Sequence, residues 1–266
     1  MPIAPGTHLV YTVRPGDTLY QLAQQHGTNV QAIEQANMLY PPFTDPGLIF
    51  PGQKLVIPLP GMNRESTVIY QVTEGDTLYR IGEQFSAGVD LLAALNQIEE
   101  PDILQVARLL YVPAFVYAVE PGDSLYRISR RLGVPLSEIV RANRGRYGVG
   151  DVIYPGYRLV VPLPSSTNSV VTSPLPGIRV GPGLPLSGRA RAFEAALLYQ
   201  IRDAAGRIVT REKPFMTDAG APAFGAFSVP LAFDVAPSVQ TGTILVYARS
   251  PRDGSIQDLV EVHVMF

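Results

Sequence analysis

Tyr11-Thr-Val-Arg-Pro-Gly-Asp-Thr-Leu-Tyr20 returns as Tyr70-Gln-Val-Thr-Glu-Gly-Asp-Thr-Leu-Tyr79 and again as Tyr117-Ala-Val-Glu-Pro-Gly-Asp-Ser-Leu-Tyr126. Each time an asparagine follows the aspartate by 20 residues, at Asn37, Asn96 and Asn143. Each segment then closes on an apolar run ending in proline: Leu55-Val-Ile-Pro58, Leu110-Tyr-Val-Pro113 and Leu159-Val-Val-Pro162. Self-similarity that holds its register through a whole segment marks one small unit used three times.

One unit reads as strand, helix, helix, strand. Tyr11 and Val13 alternate with polar residues, as on a half-buried strand. Pro15-Gly16 turns the chain, and Asp17 and Thr18 offer side-chain oxygens to the unpartnered N–H groups of a helix start. Leu19, Leu22 and Ala23 share one helix face, as do Leu78, Ile81, Gly82 and Leu125, Ile128, Ser129. Gly27 and Gly133 end the first helix, with Ser86 in that place in the second copy. The second helix is predicted to turn Val30, Ile33 and Ala36 inward, then Val89, Leu92 and Leu95, then Leu136, Ile139 and Ala142. It exits at the asparagine, a residue that tolerates left-handed angles. A core this small is marginal without disulfides, and the chain has no cysteine. Both strands of a unit must therefore pair, with its helices on one face.

Composition narrows the function classes. The 266 residues carry a net charge of −2, which gives no pointer to nucleic acid or an anionic membrane. Residues 66–115 hold two Arg against seven acids, whereas residues 116–164 hold seven Arg against four acids. This contrast reads first as two solvated surfaces of opposite sign. No apolar run approaches the ~18–20 residues of a membrane span. The first residues, MPIAPGTHLVYTV, show no basic stretch leading into an apolar one, so no signal peptide is visible; a trimmed chain or another export route is expected.

The repeated pattern, with Ala36-Asn37 and Ala142-Asn143 and the closing Pro-Gly turn before Leu-x-[Ile/Val]-Pro, resembles the LysM domain. The resemblance places copies at residues 8–60, 67–114 and 115–164. It implies three small α+β (βααβ) modules that bind N-acetylglucosamine-containing glycan, either peptidoglycan or a chitin-like polymer. It further implies a shallow furrow between two loops. The first loop would be Gly16, Asp17, Thr18 and Leu19, then Gly75, Asp76, Thr77 and Leu78, then Gly122, Asp123, Ser124 and Leu125. The second would be Leu48, Ile49 and Phe50, then Ile103 and Leu104, then Val152, Ile153 and Tyr154. Loop backbone groups would bond the acetamide, and Leu and Ile side chains would receive its methyl.

These residues also have plain structural readings. The three aspartates are helix caps before anything else. Tyr20, Tyr79 and Tyr126 read as packing residues ahead of stacking platforms, and the asparagines as structural ahead of ligand contacts. Copy two lacks the Pro-Gly turn, with Val106-Ala107 in its place, and ranks last as a binder. Copy one has a longer loop through Tyr40 and Phe43, which either extends the furrow or covers the core. Copies two and three join without a linker, whereas residues 61–66 look more flexible.

Residues 169–266 change character. Short β-rich runs alternate (Leu197, Tyr199, Ile201; Ile244, Val246, Ala248; Val260, Val262, Val264) between turn signals such as Asp253-Gly254. Seven or eight strands in such a length read as an antiparallel sandwich. Ser173-Pro-Leu175, Leu186-Ser-Gly188-Arg-Ala190, Phe193-Glu194, Asp203-Ala-Ala-Gly206 and Ser250-Pro-Arg-Asp-Gly-Ser255 resemble the immunoglobulin-like (Gmad2) domain of bacterial spore-germination proteins. That resemblance implies a wall, extracellular or spore-surface setting and a protein or wall partner. Glu194 and Asp253 read as turn or strand-edge residues.

No catalytic constellation stands out. Thiol catalysis is excluded by composition, and His8, His26 and His263 fall on separate elements, without zinc-ligand spacing. No Gly-x-Ser-x-Gly elbow and no cofactor motif is present. The expectation is therefore a non-catalytic glycan binder with no metal site. The alternatives are a wall-modifying enzyme acting through the C-terminal domain, or a spore-coat assembly protein with degenerate repeats.

Overall fold

The computed structural model describes residues 2–45, 47–61, 66–101, 103–146 and 153–266. Copy one runs β1 (Thr7–Thr12), α1 (Leu19–Gln25), α2 (Val30–Asn37) and β2 (Lys54–Leu59). Copy two runs β3 (Thr67–Gln71), α3 (Leu78–Phe85), α4 (Val89–Leu95) and β4 (Leu109–Val112). Copy three runs β5 (Ala114–Ala118), α5 (Leu125–Leu132), α6 (Leu136–Ala142) and β6 (Arg158–Pro162). The βααβ order predicted from the repeat is therefore present in all three. The chain divides into two compact units: Met1–Ser86, Leu95–Ser129 and Pro135–Pro162 form the first, and Ala87–Ala94, Arg130–Val134 and Leu163–Phe266 the second.

Within each copy the two strands pair antiparallel, as a small core requires. Copy one encloses Leu9, Tyr11, Val13, Leu19, Leu22, Ile33, Leu55 and Ile57 between that pair and its helices. The modules are not independent beads, however. Strand β1 also pairs with β3 in parallel, from Thr7 opposite Thr67 to Val10 opposite Tyr70, so copies one and two share the sheet β2-β1-β3-β4. Copy three keeps its own two-stranded sheet, and the N-terminal segment runs beside it, with Ala4 N–H donating to Val116 O at 2.8 Å. As a result β1 is buried on both faces, not on alternate residues as the sequence pattern implied. Residues 62–65 of the supposed flexible connection lie outside the described residues.

Helix ends follow local chemistry. Thr18, Thr77 and Ser124 accept from the backbone N–H three residues on, at Gln21, Arg80 and Arg127. Gly27 and Gly133 adopt φ of +64° and +69° past the first helix, and Ser86 takes φ +56° in the same place. The asparagines are not the left-handed residues. In copies one and two that conformation falls on the next residue, Met38 (φ 55°) and Gln97 (φ 52°). The asparagine side chain instead clasps the closing strand. Asn37 Nδ2 donates to Val56 O and its Oδ1 accepts from Val56 N–H, both at 2.8 Å. Asn96 does the same with Tyr111, and Asn143 with Val160. Their structural reading holds. Leu136, expected to face inward, is 39% exposed, and Val134 is buried nearby.

The C-terminal region contains β7 (Ser169–Ser173), β8 (Pro185–Ala190), β9 (Ala196–Asp203), β10 (Ile208–Met216), β11 (Gly225–Pro230), β12 (Thr241–Arg249) and β13 (Ile256–Met265). They form sheets β11-β8-β7 and β10-β9-β12-β13, antiparallel throughout. Leu186, Leu197, Tyr199, Ile201, Phe215, Phe227, Ile244, Val246, Val260 and Val262 fill the core they enclose. Glu194 lies in a tight turn, and Asp253 accepts from Ser255 N–H and Oγ in another, so both serve turns.

Candidate glycan-binding furrows

Two loops flank the same end of each strand pair. In copy one the Pro51-Gly52 turn is tied back to the first strand by Gly52 N–H to Val13 O and Val13 N–H to Gln53 O, each 2.8 Å. In copy three Gly156 and Val119 make the equivalent pair with Val119 and Tyr157, at 2.8 and 2.9 Å. Copy two keeps this turn without the Pro-Gly pair: Ala107 N–H bonds Val72 O at 2.8 Å, and Ala107 itself is forced to φ +69°. A side chain at that angle costs ~1–2 kcal/mol. Ala107→Gly should therefore raise the stability of copy two by ~0.5–1 kcal/mol net of the added chain entropy, read as a higher urea midpoint. An unchanged or lower midpoint would contradict strain at this turn.

The first loop is built identically three times. Gly16, Gly75 and Gly122 take φ of +88°, +81° and +84° and are exposed, with open space where a Cβ would stand. Their glycine is thus required by backbone angle and not by crowding. The aspartates do not cap α1, α3 or α5, contrary to expectation. Asp17 Oδ2 accepts from Arg14 N–H and from the Tyr11 hydroxyl, both at 2.7 Å. Asp76 does so with Thr73 N–H and Tyr70, and Asp123 with Glu120 N–H and Tyr117. The aspartate closes the turn and pins it to the first strand. Burial, and then the adjoining carboxylate, push the Tyr11 phenol up to about 12 and the Tyr70 phenol further still. Both therefore stay protonated as donors.

Leu19, Leu78 and Leu125 are 4%, 1% and 8% exposed. Their side chains belong to the core, because a leucine in the i, i+3, i+4 stripe cannot also face outward. Only their backbone is left for a ligand, which corrects the role of methyl acceptor expected of them. The outward apolar surface lies on the second loop. Leu48 and Phe50 are 42% and 51% exposed, Ile103 61% and Tyr154 44%. Ile49 packs against the core of copy one, Ile153 is buried and Leu104 is half-buried. Val152 lies outside the described residues. Tyr20, Tyr79 and Tyr126 are about two-thirds exposed, so they are not packing residues.

The long loop of copy one, expected either to extend the furrow or to cover the core, does cover the core. Leu39 is fully buried and covers the core, while Pro41, Phe43 and Thr44 line a concavity of about 480 Å³ with Leu48 and Phe50. The Phe43 ring meets Tyr154 of copy three at 4.6 Å between centroids. This ring contact between copies was not legible from the repeat, since copies two and three have nothing to align with the loop of copy one.

Family profiles match the chain as "LysM domain" over residues 11–58, 70–113 and 117–162, more than half of its length. The chain belongs to the LysM family. Residues 168–255 match the immunoglobulin-like domain of bacterial spore germination. Among curated proteins, this LysM chain is 32% identical over 126 residues to the secreted LysM effector ECP6 of Passalora fulva, covering 40% of the chain and 54% of the effector. It is 27% identical over 201 residues to an autolysin of Enterococcus faecalis, covering 62% of the chain and 26% of the autolysin. It is 38% identical over 77 residues to the putative sporulation-specific glycosylase YdhD of Bacillus subtilis, covering 29% of the chain and 18% of that protein. The chain thus spans about half or less of the length of each of these relatives. Among solved structures, the spore cortex-lytic enzyme SleL of Bacillus cereus aligns at a TM-score of 0.30 with 34% identity, over 40% of this chain and 22% of that one. The LysM matches support glycan binding by this chain. Among the described residues no helix is long and apolar enough to cross a membrane, and no group of three or more His, Asp or Glu could hold a metal ion.

Proposed function

We propose that the chain is a non-catalytic, multivalent binder of N-acetylglucosamine-containing glycan, with peptidoglycan as its main target and chitin as a secondary one. Its sandwich would be presented to a protein partner at a bacterial wall or spore surface. The observation that carries this reading is the threefold recurrence of one exposed loop pair: a left-handed glycine and a capping hydroxyl on one side, an outward apolar side chain on the other. An acetylated amino sugar offers an amide to the backbone and a methyl to Leu48, Phe50, Ile103 or Tyr154, and it needs no charge. Gly16, Thr18, Gly75, Thr77, Gly122 and Ser124 supply the polar side. Asp17, Asp76 and Asp123 hold that loop from behind.

Single furrows of this kind bind weakly, and three tethered ones raise avidity by ~10²–10⁴ where all engage. Co-sedimentation with insoluble peptidoglycan and with chitin tests the reading on single variants whose side chains are already exposed. Phe50→Glu and Tyr154→Glu should each weaken retention about tenfold or more, and Ile103→Glu less, because copy two lacks the aromatic. Failure of the parent chain to co-sediment with either polymer would overturn the reading. Release of soluble muropeptides above blank would overturn its non-catalytic part.

A further inference from the structure

One of the exposed tyrosines, Tyr79, and the basic stretch of copy three meet at one place. Helices α3 of copy two and α6 of copy three pack together, with Gln84 Nε2 donating to Ala142 O at 3.2 Å and Arg141 Nη2 donating to Ser86 Oγ at 3.1 Å. Between them lies a concavity of about 490 Å³ lined by Tyr79, Arg80, Glu83, Gln84, Arg141 and Arg144. Three guanidinium groups therefore face one carboxylate. Among the described residues none of the three forms an ion pair. Arg141 Nε is buried with no hydrogen-bond partner. The C-terminal end of α6 favours a cation such as Arg141, but it does not account for Arg80, which reaches the same space from another helix.

The surroundings add to the positive field. Lys54 of copy one donates to Gln84 Oε1 at 2.6 Å, directly behind the pocket wall. Burial lowers the Lys54 ammonium, Asp76 opposes this, and the like charge of Arg144 lowers it further. The pocket also adjoins a furrow. Arg80 Nη1 donates to Gly75 O at 3.2 Å, so one of its arginines rests on the first loop of copy two. Arg127 makes the same bond to Gly122 O in copy three, but copy one has Gln21 in that position.

We propose that this pocket is an oxyanion subsite, taking a carboxylate or phosphate carried by the glycan seated at copy two. Guanidinium groups that converge on a partly enclosed space without a carboxylate bound to them recognise planar or tetrahedral oxyanions by paired N–H bonds. The exposed face of Tyr79 flanks the entry. The subsite gives copy two a task that its poorer apolar wall does not suggest: it distinguishes a charged wall polymer from a neutral one. This inference rests on the proposed glycan-binding reading. The acid group could come from stem-peptide carboxylates of peptidoglycan or from phosphodiesters of an attached wall polymer.

The test compares the full chain with Arg141→Gln/Arg144→Gln and with Glu83→Gln. Four probes are titrated: a neutral N-acetylglucosamine oligomer, phosphate-stripped glycan strands with free stem carboxylates, the same strands with carboxylates amidated, and strands retaining their phosphate polymer. The parent chain should bind at least one acidic probe about tenfold more tightly than the neutral oligomer, and less so at high salt. The double variant should lose that preference while keeping its affinity for the neutral oligomer, and Glu83→Gln should increase it. The amidated strands assign the preference to carboxylate, the unstripped ones to phosphate. Equal affinity of the parent for all four probes, or an unchanged preference in both variants, would overturn the subsite and leave the furrows standing. Absence of binding to every probe, the neutral oligomer included, would overturn the glycan reading as well.

Discussion

Replacing Arg146 with alanine should cost the N-terminal unit about 3–5 kcal/mol, the combined scale of buried acceptors left without a charged donor and of the cavity that opens among them. Arg146 is 7% exposed, and among the described residues no carboxylate is one of its hydrogen-bond partners. Its guanidinium is held by oxygens from two modules: Asn143 Oδ1 at 2.7 Å and Arg158 O at 2.5 Å in copy three, and Asn37 Oδ1 at 3.1 Å and Ala36 O in copy one. It also lies over the Tyr157 ring, 4.6 Å from the centroid. Burial lowers its pKa, opposed by Tyr157. Arg146 thus joins two asparagine clasps that each fasten a helix to a strand. Alanine removes the donor and leaves a void among carbonyl oxygens. Methionine refills most of the volume and should recover about half of the loss. Urea unfolding followed by circular dichroism reads both variants. A loss below ~1 kcal/mol in the alanine variant would mean that the modules do not depend on one another through this residue.

The second large effect is a dependence on acid. His8 is 1% exposed on β1, and Arg158 lies 2.9 Å from its Nε2. A guanidinium can only donate, so Nε2 must accept and the ring must be neutral. Burial, and then the charges of Arg158 and Arg146, lower its pKa from 6.5 to about 4, against the smaller raising effect of backbone contacts at Gly6 and Thr67. A lowered histidine pKa means that the unfolded chain takes up its proton first as pH falls. Stability is therefore whole above about pH 6.5, declines from there to about pH 4, and is level for this group below that. At 1.36 kcal/mol per unit the loss is about 3 kcal/mol. His26 is also lowered, chiefly by burial, and acts in the same direction. His8→Gln keeps an oxygen for Arg158 and should flatten most of the slope in chemical denaturation from pH 7 to 4. A slope unchanged by the substitution would place the acid sensitivity elsewhere.

Much of this was legible in the sequence because each module repeats short-range chemistry. The aspartate lies six residues after its tyrosine partner, the capping hydroxyl three before the N–H it accepts from, and the asparagine directly after the last inward-facing residue of its helix. Repetition in register exposed those positions even where the bond assigned to them was wrong, as with the aspartate taken for a cap. The parallel pairing of β1 with β3 was not legible, since both strands carry the same Tyr and Val alternation whether or not a neighbour covers the second face. Arg146 was one arginine among seven in a basic stretch, and only its enclosure by Asn37 and Asn143 gives it a role. Leu19 and its equivalents were assigned two surfaces at once, and packing chose the core. The furrow residues had to be carried over from a family resemblance, because an exposed loop leaves little periodic signal. Phe43, in an insertion unique to copy one, had no aligned counterpart.

The three exposed loop pairs are proposed to receive one N-acetylglucosamine unit each. Backbone amide NMR of the full chain during titration with a neutral N-acetylglucosamine oligomer tests this proposal most directly. Saturable shifts are expected at Gly16, Thr18, Gly75, Thr77, Gly122 and Ser124 and at the facing residues Leu48, Phe50, Ile103 and Tyr154. Saturable shifts confined to other surfaces, or none at all with the fold intact, would contradict it.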